Sequence, residues 1–220
     1  MSLSIGIVGL PNVGKSTLFK VLTKKQVDIA NYPFCTIDPS VGVVEVPDAR
    51  VQKLAEFSKS QKIVPAAMEF VDIAGLVKGA SEGEGLGNKF LSHIREVDSI
   101  AEVVRVFSAR GGSASGGDII HIYGSADPVR DVGIVETELI LADLETVNKR
   151  IGTLEKETKS GNKEIIKKLE TVKKLKSVLE QGKLAKDCLT DKNDIELVKD
   201  LHLLTLKPIL YIYNISDKNM

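Results

Sequence analysis

Near the start of the chain, Gly9-Leu-Pro-Asn-Val-Gly14-Lys15-Ser16 sets two glycines, a lysine and a hydroxyl at the spacing of a phosphate-binding loop. Glycine at positions 9 and 14 admits backbone angles closed to other residues, so the N–H groups from Asn12 and Val13 through Gly14, Lys15, Ser16 and Thr17 can turn inward around a phosphate. Lys15 has the reach to bridge the β- and γ-phosphates of a nucleoside triphosphate, and the Ser16 hydroxyl is placed to ligate Mg2+. The competing reading is a glycine-rich turn that merely matches the spacing. The apolar run Leu3 to Val8 before it and the helical pattern after it decide for nucleotide binding.

Four further groups have the chemistry to complete such a site. Asp72-Ile-Ala-Gly75 follows about 56 residues after the loop serine, at the end of an apolar run. There Asp72 can hold Mg2+ through water, and the Gly75 N–H can sense the γ-phosphate. Thr36, in a stretch where Pro33 and Pro39 exclude a regular helix, is the candidate that completes the magnesium shell; a surface threonine is the alternative. Asn214-Ile215-Ser216-Asp217 resembles the base-recognition motif of G-domain NTPases, with Ile215 in place of the lysine that packs along guanine. Leu76 stands where Ras-like enzymes carry the glutamine that orients the attacking water, and leucine cannot do this. His121, on the far edge of a Gly/Ser/Ala-rich loop at 108–118, is the candidate substitute, with a structural histidine as the other reading.

The elements that must position these groups follow from periodicity. Strands are expected at Leu3 to Val8, Val41 to Val46, Ala66 to Ile73, Ile100 to Phe107 and Pro208 to Tyr213, alternating with helices at Ser16 to Thr23, Val51 to Phe57 and Phe90 to Val97. This alternation predicts an α/β fold, a P-loop NTPase G domain with a mostly parallel sheet and helices on both faces. Four glycines within Lys78 to Gly87 suit a moving switch, and the loop at 108–118 is expected to be disordered.

Between residues 128 and 205 the character changes. Ile140, Leu144, Val147, Ile151 and Leu154 form one apolar stripe, Ile165, Leu169, Val172, Leu175 and Leu179 a second, with a turn at Lys159-Ser-Gly-Asn162. We read an inserted antiparallel coiled-coil hairpin, followed by a short helix at about 194–204. The G domain then comprises 1–127 and 206–220. A G domain needs another helix and strand after the base motif, so the 220 residues read as C-terminally incomplete.

Thirty basic and thirty acidic residues cancel, so no global field draws the chain to nucleic acid or to a membrane. The stretch 149–186 is locally basic, twelve against five, which suits either a solvated helix surface or RNA. Two distant cysteines read as free thiols, and with no signal peptide or membrane-length apolar run the expected compartment is the cytoplasm.

Taken together, the chain resembles the YchF / Obg-like ATPase family of translation-factor-related P-loop NTPases. The specific matches are Gly-Leu-Pro-Asn-Val-Gly-Lys-Ser-Thr at 9–17, Asn-Tyr-Pro-Phe-Cys-Thr-Ile-Asp-Pro at 31–39, Asp-Ile-Ala-Gly-Leu-Val-Lys-Gly-Ala at 72–80 and Thr-Glu-Leu-Ile-Leu-Ala-Asp-Leu-Glu at 137–145. The resemblance implies a Ras-like domain with a helical insertion, a C-terminal TGS domain in full-length members, and hydrolysis of ATP in preference to GTP. It also implies a ribosomal partner, a hydrophobic residue for the catalytic glutamine (Leu76), and a catalytic histidine (His121). Asn12 occupies a loop position at which related NTPases bind potassium, which makes K+ a second candidate cation beside Mg2+. The glycine-rich loop before His121 and Asp217 in place of a glutamate depart from the family pattern. Two other readings stay open: a GTPase of the neighbouring Obg class, and a nucleotide-gated ribosome-binding scaffold with incidental hydrolysis.

Overall fold

In a computed structural model the described residues are 3–25, 40–73, 86–107, 121–123 and 125–216. The strands are β1 (Leu3–Val8), β2 (Val41–Glu45), β3 (Ala67–Asp72), β4 (Ser99–Arg105) and β5 (Ile209–Asn214). They form one sheet in the order β2-β3-β1-β4-β5. β1 pairs in parallel with β3 and β4, and β4 with β5, while β2 alone runs antiparallel, against β3. The expected mostly parallel sheet is therefore present, with one antiparallel edge. Ile7 and Val8 of the central β1 are wholly buried, as a strand covered on both faces requires.

The helices are α1 (Lys15–Leu22), α2 (Ala49–Ser58), α3 (Leu86–Glu96), α4 (Pro128–Glu157), α5 (Lys163–Glu180) and α6 (Lys192–Val198). Their starts are encoded locally. Asp48, Asp127, Asn162 and Asp191 each accept a hydrogen bond from a first-turn N–H, and Pro128 occupies the first turn of α4, where a missing N–H is harmless. Alternation along β4 separates two layers: Val103 and Arg105 line a cavity with Leu18 and Val21 of α1, whereas Glu102 senses the charge of Glu136 on α4.

The 30 residues of α4, about 45 Å of helix, belong to two cores. Val135, Leu139 and Ala142 pack into the sheet core with Ile94 and Ile100. Ile140, Val147 and Leu154 pack instead with Val172, Leu175 and Leu179 of α5, the residues of the two stripes read from the sequence.

Past α5 the single helix expected at about 194–204 is broken up: α6 ends at Val198, and short 3-10 turns follow at Lys199–Leu201 and Leu204–Leu206. Buried Asp143 of α4 explains the break. Its two oxygens accept the N–H groups of Leu204 (2.9 Å) and Thr205 (2.8 Å), which a continuing helix would have kept for itself, and His202 bends through a left-handed φ of 46°. The Thr205 hydroxyl also donates to Asp143 (2.7 Å) and accepts from the Ala185 N–H (3.1 Å), tying three segments together. Burial outweighs these bonds and raises the Asp143 carboxyl above the usual range. Cys188 is a free thiol, and Cys35 lies outside the described residues. Among the described residues no helix is long and apolar enough to cross a membrane.

Glu102 generates a pH prediction. Its side chain is buried with neither oxygen hydrogen-bonded, and burial, with Glu136 adding to it, pushes its carboxyl up to about 8. A raised carboxyl favours the folded state below its unfolded value, near 4.3, and that contribution disappears as pH rises through about 8. Glu102→Gln should therefore flatten the fall in stability between pH 5 and 8, by up to about 1.4 kcal/mol per pH unit. Parallel melting curves of the two proteins across that range would contradict it.

Candidate nucleotide site

The chain leaves β1 through Gly9, whose φ of 141° and distance to β4 leave no room for a side chain: a Cβ there would sit 2.4 Å from the Val103 carbonyl oxygen. Leu10 and Val13 anchor the loop in the core, and Asn12 holds a left-handed φ of 62°. Gly14 is the constrained point. Its φ is 106°, and a Cβ would meet the Asn214 side-chain nitrogen at 2.6 Å. That same Asn214 Nδ2 donates to the Val13 carbonyl at 2.9 Å, so the phosphate loop and the base motif, 201 residues apart, are joined directly.

Gly14 stands at the N-cap of α1 with no side-chain cap, and the first N–H groups of the helix are thereby left to serve an anion. Lys15 is buried at the head of the helix, its ammonium donating to the carbonyls of Gly9 (3.1 Å) and Leu10 (2.8 Å). Burial brings its pKa down to about 8, and the Asp72 carboxylate acts in the opposite direction. Asp72 closes β3 opposite Ile7, while Ser16 and Thr17 are exposed.

An ion held by one hydroxyl, one carboxylate and the phosphates of a bound nucleotide needs no cluster of protein ligands, and among the described residues no group of three or more His, Cys, Asp or Glu is set to hold a metal. Ser16 at the head of α1 and Asp72, near enough for its charge to act on Lys15, fit Mg2+ in that manner.

Beside the loop lies a cavity of about 630 Å3, lined by Asn12, Val13, Gly14 and Thr17, by Leu18 and Val21 of α1, and by the ends of β4 and β5 through Arg105, Phe107, Tyr213, Asn214 and Ile215. Its position outside the carboxyl ends of parallel strands is where open α/β sheets hold ligands. Arg105 donates from Nε to the Phe107 carbonyl (3.0 Å) and sits 4.5 Å over the Phe107 ring, which fixes that aromatic wall. Sequence reasoning missed Arg105, Phe107 and Tyr213. The usable signal was their place at strand ends next to the loop.

Of the expected site residues, Asn12, Val13, Gly14, Lys15, Ser16, Thr17, Asn214 and Ile215 gather around this loop and cavity, with Asp72 beside them. Thr36, Gly75, Leu76 and Asp217 lie outside the described residues, as do the glycine-rich stretches at 78–85 and 108–118. His121 is not part of the cavity lining; it is buried, 5% exposed, with Nδ1 accepting from the Tyr123 N–H (3.3 Å) and Nε2 lying 2.8 Å from Asp131 Oδ2.

Comparison with known proteins agrees with this fold. The model of a family described as 50S ribosome-binding GTPase matches residues 4–123. Among curated proteins the chain is 54% identical over 217 residues to the ribosome-binding ATPase YchF of Bacillus subtilis and 49% identical over 217 residues to that of Haemophilus influenzae. Each match covers 99% of this chain and 57% or 58% of the relative, so the chain spans somewhat over half their length. Among solved structures, the Schizosaccharomyces pombe YchF GTPase is 41% identical, with a TM-score of 0.78 over 99% of this chain and 58% of that one.

Two outcomes test the geometry. Gly14→Ala forces a Cβ into Asn214 and a disfavoured φ, and should weaken triphosphate binding by about 1–3 kcal/mol; unchanged affinity in a calorimetric titration would refute the close approach. Only a cationic Lys15 can pair with phosphate, so affinity should be level between about pH 7 and 8 and fall above that, by up to about tenfold per pH unit. A level profile to pH 9.5 would mean that Lys15 does not carry the contact.

Proposed function

We propose, from the premise that this chain belongs to the family of 50S ribosome-binding GTPases, that it is a slow nucleotide switch that hydrolyses ATP and reports its state to the ribosome. One observation carries the reading: the phosphate loop and the base motif share one cavity, joined by the Asn214–Val13 hydrogen bond, as a ligand with both phosphates and a base requires. The fold and the YchF relatives support it, and those relatives, described as ribosome-binding ATPases, suggest the ATPase activity and the ribosome as partner.

In this mechanism the loop N–H groups and the N-terminal end of α1 hold the phosphates, and Lys15 releases the Gly9 and Leu10 carbonyls to reach the β- and γ-oxygens. Ser16 and Asp72 would hold Mg2+, which supplies charge neutralisation when bound; Thr36 would complete the shell, and Gly75 would report the γ-phosphate. With Leu76 unable to orient water, intrinsic turnover is slow, and His121 is the candidate group that completes catalysis. Asn12, in a left-handed conformation at the loop, is the candidate K+ ligand; equal rates in sodium and potassium would dispose of that cation.

Ile215, lining the cavity and 40% exposed, can pack on a base but cannot support an aspartate as lysine does. ATP is accordingly the preferred substrate, with GTP retained because Asp217 can still pair with guanine. A missing hydrogen bond costs about 1–3 kcal/mol, which gives a moderate preference. We assign residues 1–127 and 206–220 to the nucleotide domain, 128–205 to a helical coiled-coil insertion, and the protein to the cytoplasm. Exposed Lys156, Lys159 and Lys163 at the tip of the insertion are the surface offered to ribosomal RNA.

Competition against labelled ATP decides the base, with GTP competing tenfold better overturning the ATP reading in favour of an Obg-class GTPase. Lys15→Ala should abolish productive binding. Ribosome sedimentation should depend on nucleotide state and weaken with salt; equal binding in every state would favour the scaffold reading.

A further inference from the structure

Outside the nucleotide cavity, a buried polar cluster sits where the chain enters α4. Asp131, in the first turn, is 2% exposed, and its two oxygens serve different partners. Oδ1 accepts from Arg130 Nε (3.1 Å) and Nη2 (3.0 Å), and Oδ2 faces His121 Nε2 at 2.8 Å, off the line of the ring N–H. Arg130 is fixed in turn: Nη2 donates to the Ser125 carbonyl (2.6 Å), and the guanidinium lies 5.2 Å over the Tyr123 ring. The Tyr123 N–H donates to His121 Nδ1. Nδ1 of His121 thus accepts a hydrogen bond, and Nε2, which makes none, is buried against a carboxylate oxygen, so neither nitrogen is open to a water at a phosphate.

We propose that Asp131 is a positioning residue that latches His121 away from the nucleotide, so that the histidine acts only when its contact with the first turn of α4 breaks. This rests on the assignment of His121 to hydrolysis made above. The side chain of Asp131 is short and rigidly placed: its N–H donates to the Asp127 carbonyl (2.9 Å), and Asp127 caps the helix through the Arg130 N–H. Removing the charge without the volume therefore loosens the histidine and leaves the helix start intact.

The test uses full-length protein carrying Asp131→Asn, alone and with His121→Ala. The single variant should raise kcat several-fold with KM unchanged, and the double variant should fall to the rate of His121→Ala alone. A purely structural role would lower the melting temperature and would not raise kcat. An unchanged or reduced kcat in a cooperatively melting Asp131→Asn protein overturns the proposal. Amide exchange at Tyr123 in the unaltered protein provides an arm independent of folding of the variant and of turnover. Protection should be lost on adding Mg2+ and a non-hydrolysable ATP analogue, and equal protection with and without the analogue also overturns the latch. Failure of the nucleotide assignment is read separately, as failure of the analogue to bind at all.

Discussion

The site depends on one close approach, that of the Asn214 side chain to the backbone at Val13 and Gly14. A hydrogen bond of 2.9 Å brings the end of β5 against the phosphate loop, and the loop accepts it because position 14 has no side chain. Gly14 is simultaneously the residue whose left-handed backbone starts α1, so the phosphate-binding turn, the helix N-terminus and the base motif are fixed at a single residue. Gly9 approaches the β4 backbone closely too, 2.4 Å from the Val103 oxygen for a notional Cβ, and the loop is thereby held between β4 and β5. A loop anchored by Leu10 and Val13 and confined at both glycines keeps its N–H groups aimed before any ligand arrives, and preorganisation of this kind reduces the cost of binding.

How much of this could be read from the sequence follows the range of the interactions. The loop GxxxxGKS, the strand runs and the apolar stripes on α4 and α5 are local patterns, and the structure has them where spacing placed them: Ile140, Val147 and Leu154 meet Val172, Leu175 and Leu179. What escaped depends on contacts between distant residues. The Asn214–Val13 bond spans 201 positions, and Asp143 breaks the helix expected at 194–204 from 61 and 62 positions away. Propensity in that segment is helical, and a buried carboxylate that needs N–H donors overrides it. The antiparallel direction of β2 was likewise invisible, because the alternation of apolar residues in a strand is the same in either direction. His121 carries no local signal of burial; its environment is made by Asp131 and Tyr123.

The half of α4 that meets the sheet is unusual in what it buries. Beside Val135, Leu139 and Ala142 it presents Asp131, Glu138 and Asp143, all buried, and it brings Glu136 toward Glu102 on β4. The Tyr211 hydroxyl donates to Glu136 at 2.6 Å, and burial together with that bond raises the tyrosine pKa. Each acid removed from water opposes docking unless its partners return the lost hydration. Asp143 has such partners at both oxygens and Asp131 at Oδ1 alone, whereas both Glu102 oxygens lack one, so the adhesion of α4 to the sheet is weaker than its apolar contacts alone would make it.

The distal half of the same helix buries no carboxylate, and its one buried unpartnered polar atom among the described residues is Arg150 Nε. There Val147 and Leu154 are wholly buried against α5, and the ion pairs, such as Lys173 with Glu155 at 2.8 Å, lie on the outside, where they contribute little either way. The two halves therefore differ in what holds them: the hairpin is an apolar unit, and its root is a polar contact with specific partners. At that root the Asp143 clamp on Leu204 and Thr205 ties α4 to the segment that leads into β5. Arg95, at the end of α3, joins the same root, donating to the Thr146 hydroxyl (3.0 Å) and the His202 carbonyl (3.2 Å). The helix that follows the Asp-x-x-Gly segment in sequence is thus bonded directly to the base of the hairpin through two hydrogen bonds, in addition to the packing of Ile94 with Val135, Leu139 and Ala142.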